Sequence, residues 1–260
     1  MTKVKDITNY LLTKYPTSLA SSFDLGKVGL QFGSLNQEVK VVMLALDGST
    51  KVIDEAIMND VDLLITHHPF MFNSMLSMDY DNPLQKKIKQ VIKNDLNVFS
   101  MHTNFDVAEG GMNEILAERL GLKNIRFVGD TLNNESFIRT GEVDEISLND
   151  FLEVVKEKLK VDGLRYTGSL NKKIHKVGIL AGSGGFELYL ASRLHCDAFI
   201  TGEVKHNQAL DAVDLNLSLI EVSHAVERLY KEKVKAELEK EFPNVTFILA
   251  NNDTDPLKIK

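Results

Sequence analysis

The sequence predicts an α/β protein of two related halves with mostly parallel strands, and three observations carry that prediction. Apolar runs of strand length alternate with segments of helical period through most of the 260 residues. The strand–turn–helix order of the first half recurs in the second at similar spacings. Composition is that of an ordinary folded protein, 43% hydrophobic and 26% charged, which argues against disorder, collagen-like repeats and coiled coil; the length allows one large domain or two modest ones.

A first helix is expected over residues 4–15, with Val4, Ile7, Leu11 and Leu12 on one face and Pro16 closing it. A buried strand follows from Val39 or Lys40 to Leu46, read from its Val-Val-Met-Leu-Ala-Leu run. The turn Asp47-Gly48-Ser49 then opens a helix over residues 51–59. Residues 61–65 form the next strand, which runs straight into Thr66-His67-His68-Pro69. After a loop holding Asn82-Pro83 and a helix over residues 84–93, the strand 97–101 delivers His102-Thr103-Asn104-Phe105-Asp106. Gly110-Gly111 breaks the chain before a helix over residues 112–120.

In the second half, Val177 to Ser183 resembles Val42 to Ser49 as a strand ending in a small-residue turn. Asp197 to Gly202 echoes Asp62 to His67, and Asn216 to His224 parallels Asn97 to His102. Between the halves lies a strand–helix–strand pattern over residues 137–143, 148–159 and 164–168, with Ser147 as the helix N-cap. The expected division is a first α/β half at 1–129, a connecting segment at 130–171 and a second α/β half at 172–260.

Thirty Lys and Arg against 37 Asp and Glu leave a formal charge of −7, which repels phosphate backbones and weighs against nucleic acid as a partner. The single cysteine, Cys196, has no partner for an internal disulfide and reads as a small core residue. No apolar run approaches the ~20 residues of a spanning helix, and the N-terminus lacks a signal-peptide core. The expectation is a cytoplasmic protein without membrane attachment.

Four of the seven histidines, His67, His68, His102 and His224, fall immediately after predicted strands. Open α/β sheets bind ligands in a cleft at the C-terminal ends of their strands, so the fold would gather these side chains there. A structural role is the plainer reading for any one histidine; four in equivalent positions with carboxylates nearby favour a site. Asp106 lies four residues after His102, and Glu227 three after His224, a spacing that shares one helical face. Adjacent His67 and His68 diverge on extended backbone and suit two neighbouring ions better than one. Three imidazoles and two carboxylates fit a two-metal centre with ions ~3.5–4 Å apart. Nitrogen and oxygen donors without thiolate suit zinc, manganese or iron alike.

The motifs His67-His68-Pro69-Phe70-Met71-Phe72, His102-Thr103-Asn104-Phe105-Asp106, Thr201-Gly202-Glu203-Val204-Lys205-His206 and Ser223-His224 to Glu227 resemble, in order, those of the GTP cyclohydrolase 1 type 2 or NIF-three-like family. Val28-Gly29-Leu30-Gln31-Phe32-Gly33 and Asp253-Thr254-Asp255-Pro256 are also similar to family segments, so the resemblance spans essentially the whole chain. It implies a single NIF-three-like unit whose two divalent ions are held by His67, His68, Asp106, His224 and Glu227, with the glutamate bridging. One of the adjacent histidines would share an ion with Asp106, the other with His224. The family also implies a toroidal homohexamer with its sites facing an internal cavity. Two departures stand out: Ser223 replaces the usual glycine, and Glu227 lies three rather than four residues after the histidine, Arg228 holding the fourth position. Longer relatives carry an inserted domain between the halves; this chain resembles the compact form.

Further candidates follow from position. His102, near Asp106, is a candidate catalytic group, as a proton shuttle or an orienting partner. Lys205 and His206, just after a strand, are candidates for holding an anionic group of a small-molecule substrate. Gly182-Ser183-Gly184-Gly185 lacks a Walker lysine and reads as a packing turn before a phosphate cradle. Residues 227–241, with alternating Lys and Glu, read as a solvated amphipathic helix. The leading expectation is a dinuclear-metal-dependent hydrolase acting through a metal-activated water on a nucleotide, phosphoester or cyclic amide. The family name suggests opening of the guanine ring of GTP, although the sequence has no guanine signature. The alternative is a non-catalytic, metal-binding oligomeric interaction or metal-chaperone protein.

Overall fold

A computed structural model describes residues 1–129 and 137–259, and the chain divides into two compact units. The first comprises Met1–Ala108 and Tyr230–Thr254, the second Glu109–Leu229 and Asp255–Lys260. Eleven strands run through the described residues: β1 Gly29–Phe32, β2 Val41–Ala45, β3 Leu63–Thr66, β4 Asn97–Ser100, β5 Lys123–Phe127, β6 Arg139–Ser147, β7 Arg165–Tyr166, β8 Lys173–Leu180, β9 Ala198–Thr201, β10 Ser218–Glu221 and β11 Thr246–Leu249.

The first unit holds a five-stranded sheet in the order β1-β4-β3-β2-β11, parallel except for β1, which pairs antiparallel with β4. The second holds a six-stranded sheet in the order β5-β6-β8-β9-β10-β7. Its centre, β8-β9-β10, is parallel; β5, β6 and β7 extend it antiparallel.

This division departs from boundaries at 1–129, 130–171 and 172–260, for two reasons. β11 pairs in parallel with β2, so the chain returns to the first sheet near its end. The stretch expected to be a connector is an integral part of the second sheet, because β6 pairs with β8 along most of its length. Positions 130–136 of that expected connector lie outside the described residues.

The repeat seen in the sequence is physical. In the first unit Asp62 Oδ2 accepts the backbone N–H groups of Lys40 (2.7 Å) and Val41 (2.9 Å); in the second Asp197 Oδ2 accepts those of His175 (3.0 Å) and Lys176 (2.8 Å). In both cases an aspartate just before the second parallel strand anchors the first at the point where the parallel pairing of the two begins. The left-handed residues repeat too: Asp60 and Asp95 lie two positions before Asp62 and Asn97, as His195 and Asn216 lie before Asp197 and Ser218. Each lets the chain leave a helix and turn sharply into a strand.

Local chemistry explains the helix starts. Ser49 accepts the N–H of Val52 at the head of the helix Thr50–Met58, and Ser147 that of Asp150 at the head of Leu148–Leu159. The core of the first unit is apolar on both faces of its sheet: Met43, Leu64 and Val98 on one face, packed with Val52 and Ile53, and Leu44, Ile65 and Phe99 on the other are all inaccessible to solvent. The amphipathic C-terminal helix is Tyr230–Glu241 and buries Tyr230, Lys231, Val234 and Leu238, so it is a packed element rather than a wholly solvated one. Among the described residues no helix is long and apolar enough to cross a membrane.

Candidate metal centre

In the first unit the ends of β2, β3 and β4 set out the candidate residues side by side. His67 and His68 still pair with the strand before them, their N–H groups reaching Ala45 (3.2 Å) and Leu46 (3.0 Å) carbonyls. The Thr66 hydroxyl donates to the His68 carbonyl at 2.8 Å and lies 2.9 Å from the Ser100 hydroxyl, fixing the turn that follows β3. His102 is the N-cap residue of the one-turn helix Thr103–Val107. Its carbonyl accepts the Asp106 N–H at 3.1 Å, so Asp106 stands one turn along. The result is a cluster: the imidazoles of His67, His68 and His102 offer ring nitrogens within 4.8 Å of one another, and His67 Nε2 lies 3.5 Å from Asp106 Oδ1.

Two of these rings are oriented by carboxylates. His68 Nδ1 donates to Asp47 Oδ1 at 2.8 Å, and His102 Nδ1 to Asp24 Oδ2 at 2.6 Å. Asp24 also accepts the backbone N–H of Thr103 (3.1 Å) and its hydroxyl (2.6 Å). Burial pushes the Asp24 carboxyl up, but the bonds from His102 and Thr103 outweigh it and hold the group below the ordinary aspartate range. With Nδ1 occupied, each ring presents Nε2. Tyr230, fully buried beside His67 at 5.9 Å between ring centroids, donates to the Ala45 carbonyl at 2.8 Å and so packs the strand end from which the histidines emerge.

In the second unit the chain after β10 forms the 3₁₀ helix His224–Leu229. A 3₁₀ helix has three residues per turn, so positions i and i+3 eclipse. The three-residue spacing therefore works here: His224 Nε2 lies 3.1 Å from a Glu227 carboxylate oxygen. His224 Nδ1 donates to Glu203 Oε1 at 2.6 Å, repeating the carboxylate–imidazole pairing of the first unit. Glu203 also accepts the Ser183 hydroxyl; that bond first, and the one from His224 second, hold its carboxyl below the usual range. Gly182 sits in the left-handed region at φ +63, where a Cβ would stand 2.8 Å from Glu227 Oε1 and 3.4 Å from His224 Nε2. The turn is thus a cradle for these two side chains. Gly184 and Gly185 are equally crowded, by Thr201 and Gln208, which makes this glycine run a packing turn.

These residues fit a bound cation. Metal–nitrogen and metal–oxygen bonds near 2.0–2.2 Å place neighbouring donors of one ion about 3–3.5 Å apart. The His224–Glu227 and His67–Asp106 separations of 3.1 and 3.5 Å match that range. Imidazoles whose second nitrogen is tied to a carboxylate are the usual form of metal-ligating histidine.

Lys205 and His206 stand elsewhere in the second unit, at the start of the helix His206–Asp214, where Lys205 is the capping residue. Both line an open pocket of about 220 Å³ with Arg165, Tyr166 and Glu221. Cys196 is buried, and burial pushes its thiol up to about 11. Sequence reasoning missed Asp24, Asp47 and Glu203. The signal for Asp47 and Glu203 was their place after strand ends; Asp24 lies in a 3₁₀ turn, Ser22–Asp24, without periodicity.

Fold and clusters define an α/β protein with histidine–carboxylate groups gathered at the C-terminal ends of parallel strands. A model of the Duf34/NIF3 (NGG1p interacting factor 3) family matches residues 2–256, and the chain belongs to that family. It is 34% identical to a protein of Clostridium perfringens named GTP cyclohydrolase 1 type 2 homolog, over 98% of this chain and 99% of that one. A protein of the same name from Clostridium acetobutylicum is 32% identical over 99% of each chain. Among solved structures, a Bacillus cereus protein related to NIF3 is similar with a TM-score of 0.92 and 26% identity, over 100% of this chain and 99% of that one.

Proposed function

We propose that the protein is a metal-dependent hydrolase whose His67, His68, Asp106, His224 and Glu227 hold two divalent cations. The observation that carries this reading is that His68 and His224 each have Nδ1 tied to a carboxylate, leaving Nε2 as donor beside other donors. Zinc, manganese and iron all suit the donor set. When bound, such ions lower the pKa of a water and polarise a scissile bond.

The chain's own groups supply the rest. His102, its Nδ1 fixed by Asp24, stands in one group with His67 and His68, and we assign it the handling of the proton that a hydrolysis must move. Lys205 and His206 are the groups we assign to an anionic part of the substrate. A nucleotide, a phosphoester or a cyclic amide is the substrate class this reading expects, and the family resemblance adds a homohexameric assembly. Elemental analysis of the untagged protein, with turnover on GTP and a panel of phosphoesters with and without manganese or zinc, tests the reading. Bound transition metal and metal-stimulated turnover are the expected result. A protein that holds metal but turns over none of them would favour the metal-binding interaction role, and one that holds no metal would overturn the centre altogether.

A further inference from the structure

The last stretch of the chain is tied to the histidines by bonds that metal binding alone does not explain. Asp253 is an almost fully buried carboxylate. Its Oδ2 accepts the N–H of Leu46 at 2.7 Å and the ammonium of Lys231, itself buried, at 2.6 Å; its Oδ1 accepts the N–H of Asp47 at 3.4 Å. Asp47 is the residue that orients His68. One position beyond Thr254, Asp255 Oδ2 accepts the hydroxyl of Ser223, the residue directly before His224. The Ser223 oxygen in turn accepts the N–H of Ala225 at 3.1 Å, fixing the first turn of the helix on which His224 and Glu227 stand. The preceding pair is anchored as well: Glu55 accepts four bonds, two from Asn251 and two from Asn252, at 2.8–3.0 Å.

We infer that Asp253 and Asp255 are positioning residues of the metal centre, Asp253 acting through the backbone of Asp47 on His68 and Asp255 acting through Ser223 on His224. The physical reason lies in the turn after β2. Leu46 and Asp47 leave the sheet there, and a buried carboxylate accepting both N–H groups leaves that backbone one geometry. The side chain of Asp47 is then presented to His68 rather than left to sample rotamers. Lys231 balances the charge of Asp253, so the buried carboxylate is tolerated. In the second unit the hold runs through a side chain instead: the Ser223 hydroxyl ties the residue before His224 to Asp255.

The inference rests on the metal-centre reading, and cobalt(II) titration of the metal-stripped full chain separates the two. Binding is read from the visible absorption of the bound ion, with the melting temperature of the metal-free protein measured in parallel. Wild type that binds no cobalt overturns the metal centre and the inference with it. With wild type binding, D253N, D255N and S223A should each weaken cobalt about tenfold and change its absorption spectrum, the scale of losing an outer partner of a ligand. D47N/D253N should lose no more than D47N alone, because the two residues act along one path. Wild-type affinity and spectrum in D253N and D255N, even with a lowered melting temperature, would overturn the inference while leaving the metal centre standing. Should D253N fail to fold, D255N and S223A decide the question by the same readings.

Discussion

Replacing Gly182 by alanine perturbs the site at a single atom. The residue sits at φ +63, a left-handed conformation that costs an alanine about 1–2 kcal/mol. Its Cβ would then lie 2.8 Å from Glu227 Oε1, closer than van der Waals contact permits, and 3.4 Å from His224 Nε2. The backbone cost alone lowers the melting temperature by about 2–8 °C in a protein of this size. The contact does something different: a side chain gives way before backbone does, so the Glu227 carboxylate is pushed from its place beside His224, and a cation held as proposed would lose a donor. We expect zinc or manganese affinity to fall at least tenfold, measured by competition with a chromogenic chelator, beside calorimetric melting of the metal-free protein. Gly121 supplies the control. It has φ +74 with nothing within 4 Å of a Cβ, so Gly121→Ala carries the same backbone cost with no ligand to displace. Equal metal affinity in the two variants would refute the assignment of Glu227 as a ligand cradled by this turn.

Three other outcomes are expected. Glu55 is buried, which raises its carboxyl, but the bonds from Asn251 and Asn252 outweigh that and hold it below its ordinary value of 4.5. Its folded value is the lower one, so its contribution to stability is present above about pH 4.5 and is lost as pH falls through the folded value; Glu55→Gln should flatten that acid limb of a stability–pH profile and cost about 2–3 kcal/mol at neutral pH in urea unfolding. Asp24→Asn should leave the metal content of the protein unchanged and lower turnover at least tenfold, because it removes the charge that holds His102 Nδ1 without touching an assigned ligand; unchanged turnover on an identified substrate would remove His102 from the mechanism. Ser147→Ala removes the acceptor of the Asp150 N–H at the head of its helix and should cost about 1 kcal/mol in the same unfolding measurement, with no effect on metal.

Much of the fold was legible because buried parallel strands are written as continuous apolar runs. Val41 to Ala45, Leu63 to Thr66 and Asn97 to Ser100 were read in place and in order, as were β9, β10 and the parallel stretch Val177 to Leu180 of β8, but not the residues 173–176 with which β8 pairs to β6. The strands that escaped are the short or exposed ones. β5 is mostly solvent-exposed and has no apolar run, and β11 spans four residues whose parallel partner lies about 200 positions away. No local pattern encodes such a pairing, and it is the pairing that moves the C-terminal segment into the first unit. At the candidate site, the histidines were legible from their places after strands. Asp24 was not, because its bond to His102 joins residues 78 apart and depends on packing that periodicity does not carry.

The two units put different chemistry at matching positions of the same three-strand register. Register aligns Thr66 with Thr201, since each ends the central strand of three and pairs with the ends of both neighbours. The next two residues are His67 and His68 in one unit and Gly202 and Glu203 in the other. Glu203 thus occupies the place of a candidate ligand and serves instead as the carboxylate that orients His224, one strand further along. In the first unit the same service runs between the neighbouring pair of strand ends, from Asp47 after β2 to His68 after β3. Gly202 could not be a histidine in the second unit: a Cβ there would meet the backbone of Gly182 at 2.8 Å and of His224 at 2.9 Å, and backbone does not yield as a side chain does. The one device, a carboxylate at one strand end bonded to an imidazole at the next, therefore survives in both halves while shifting by a strand. Sequence identity between the halves would not reveal it; the register does.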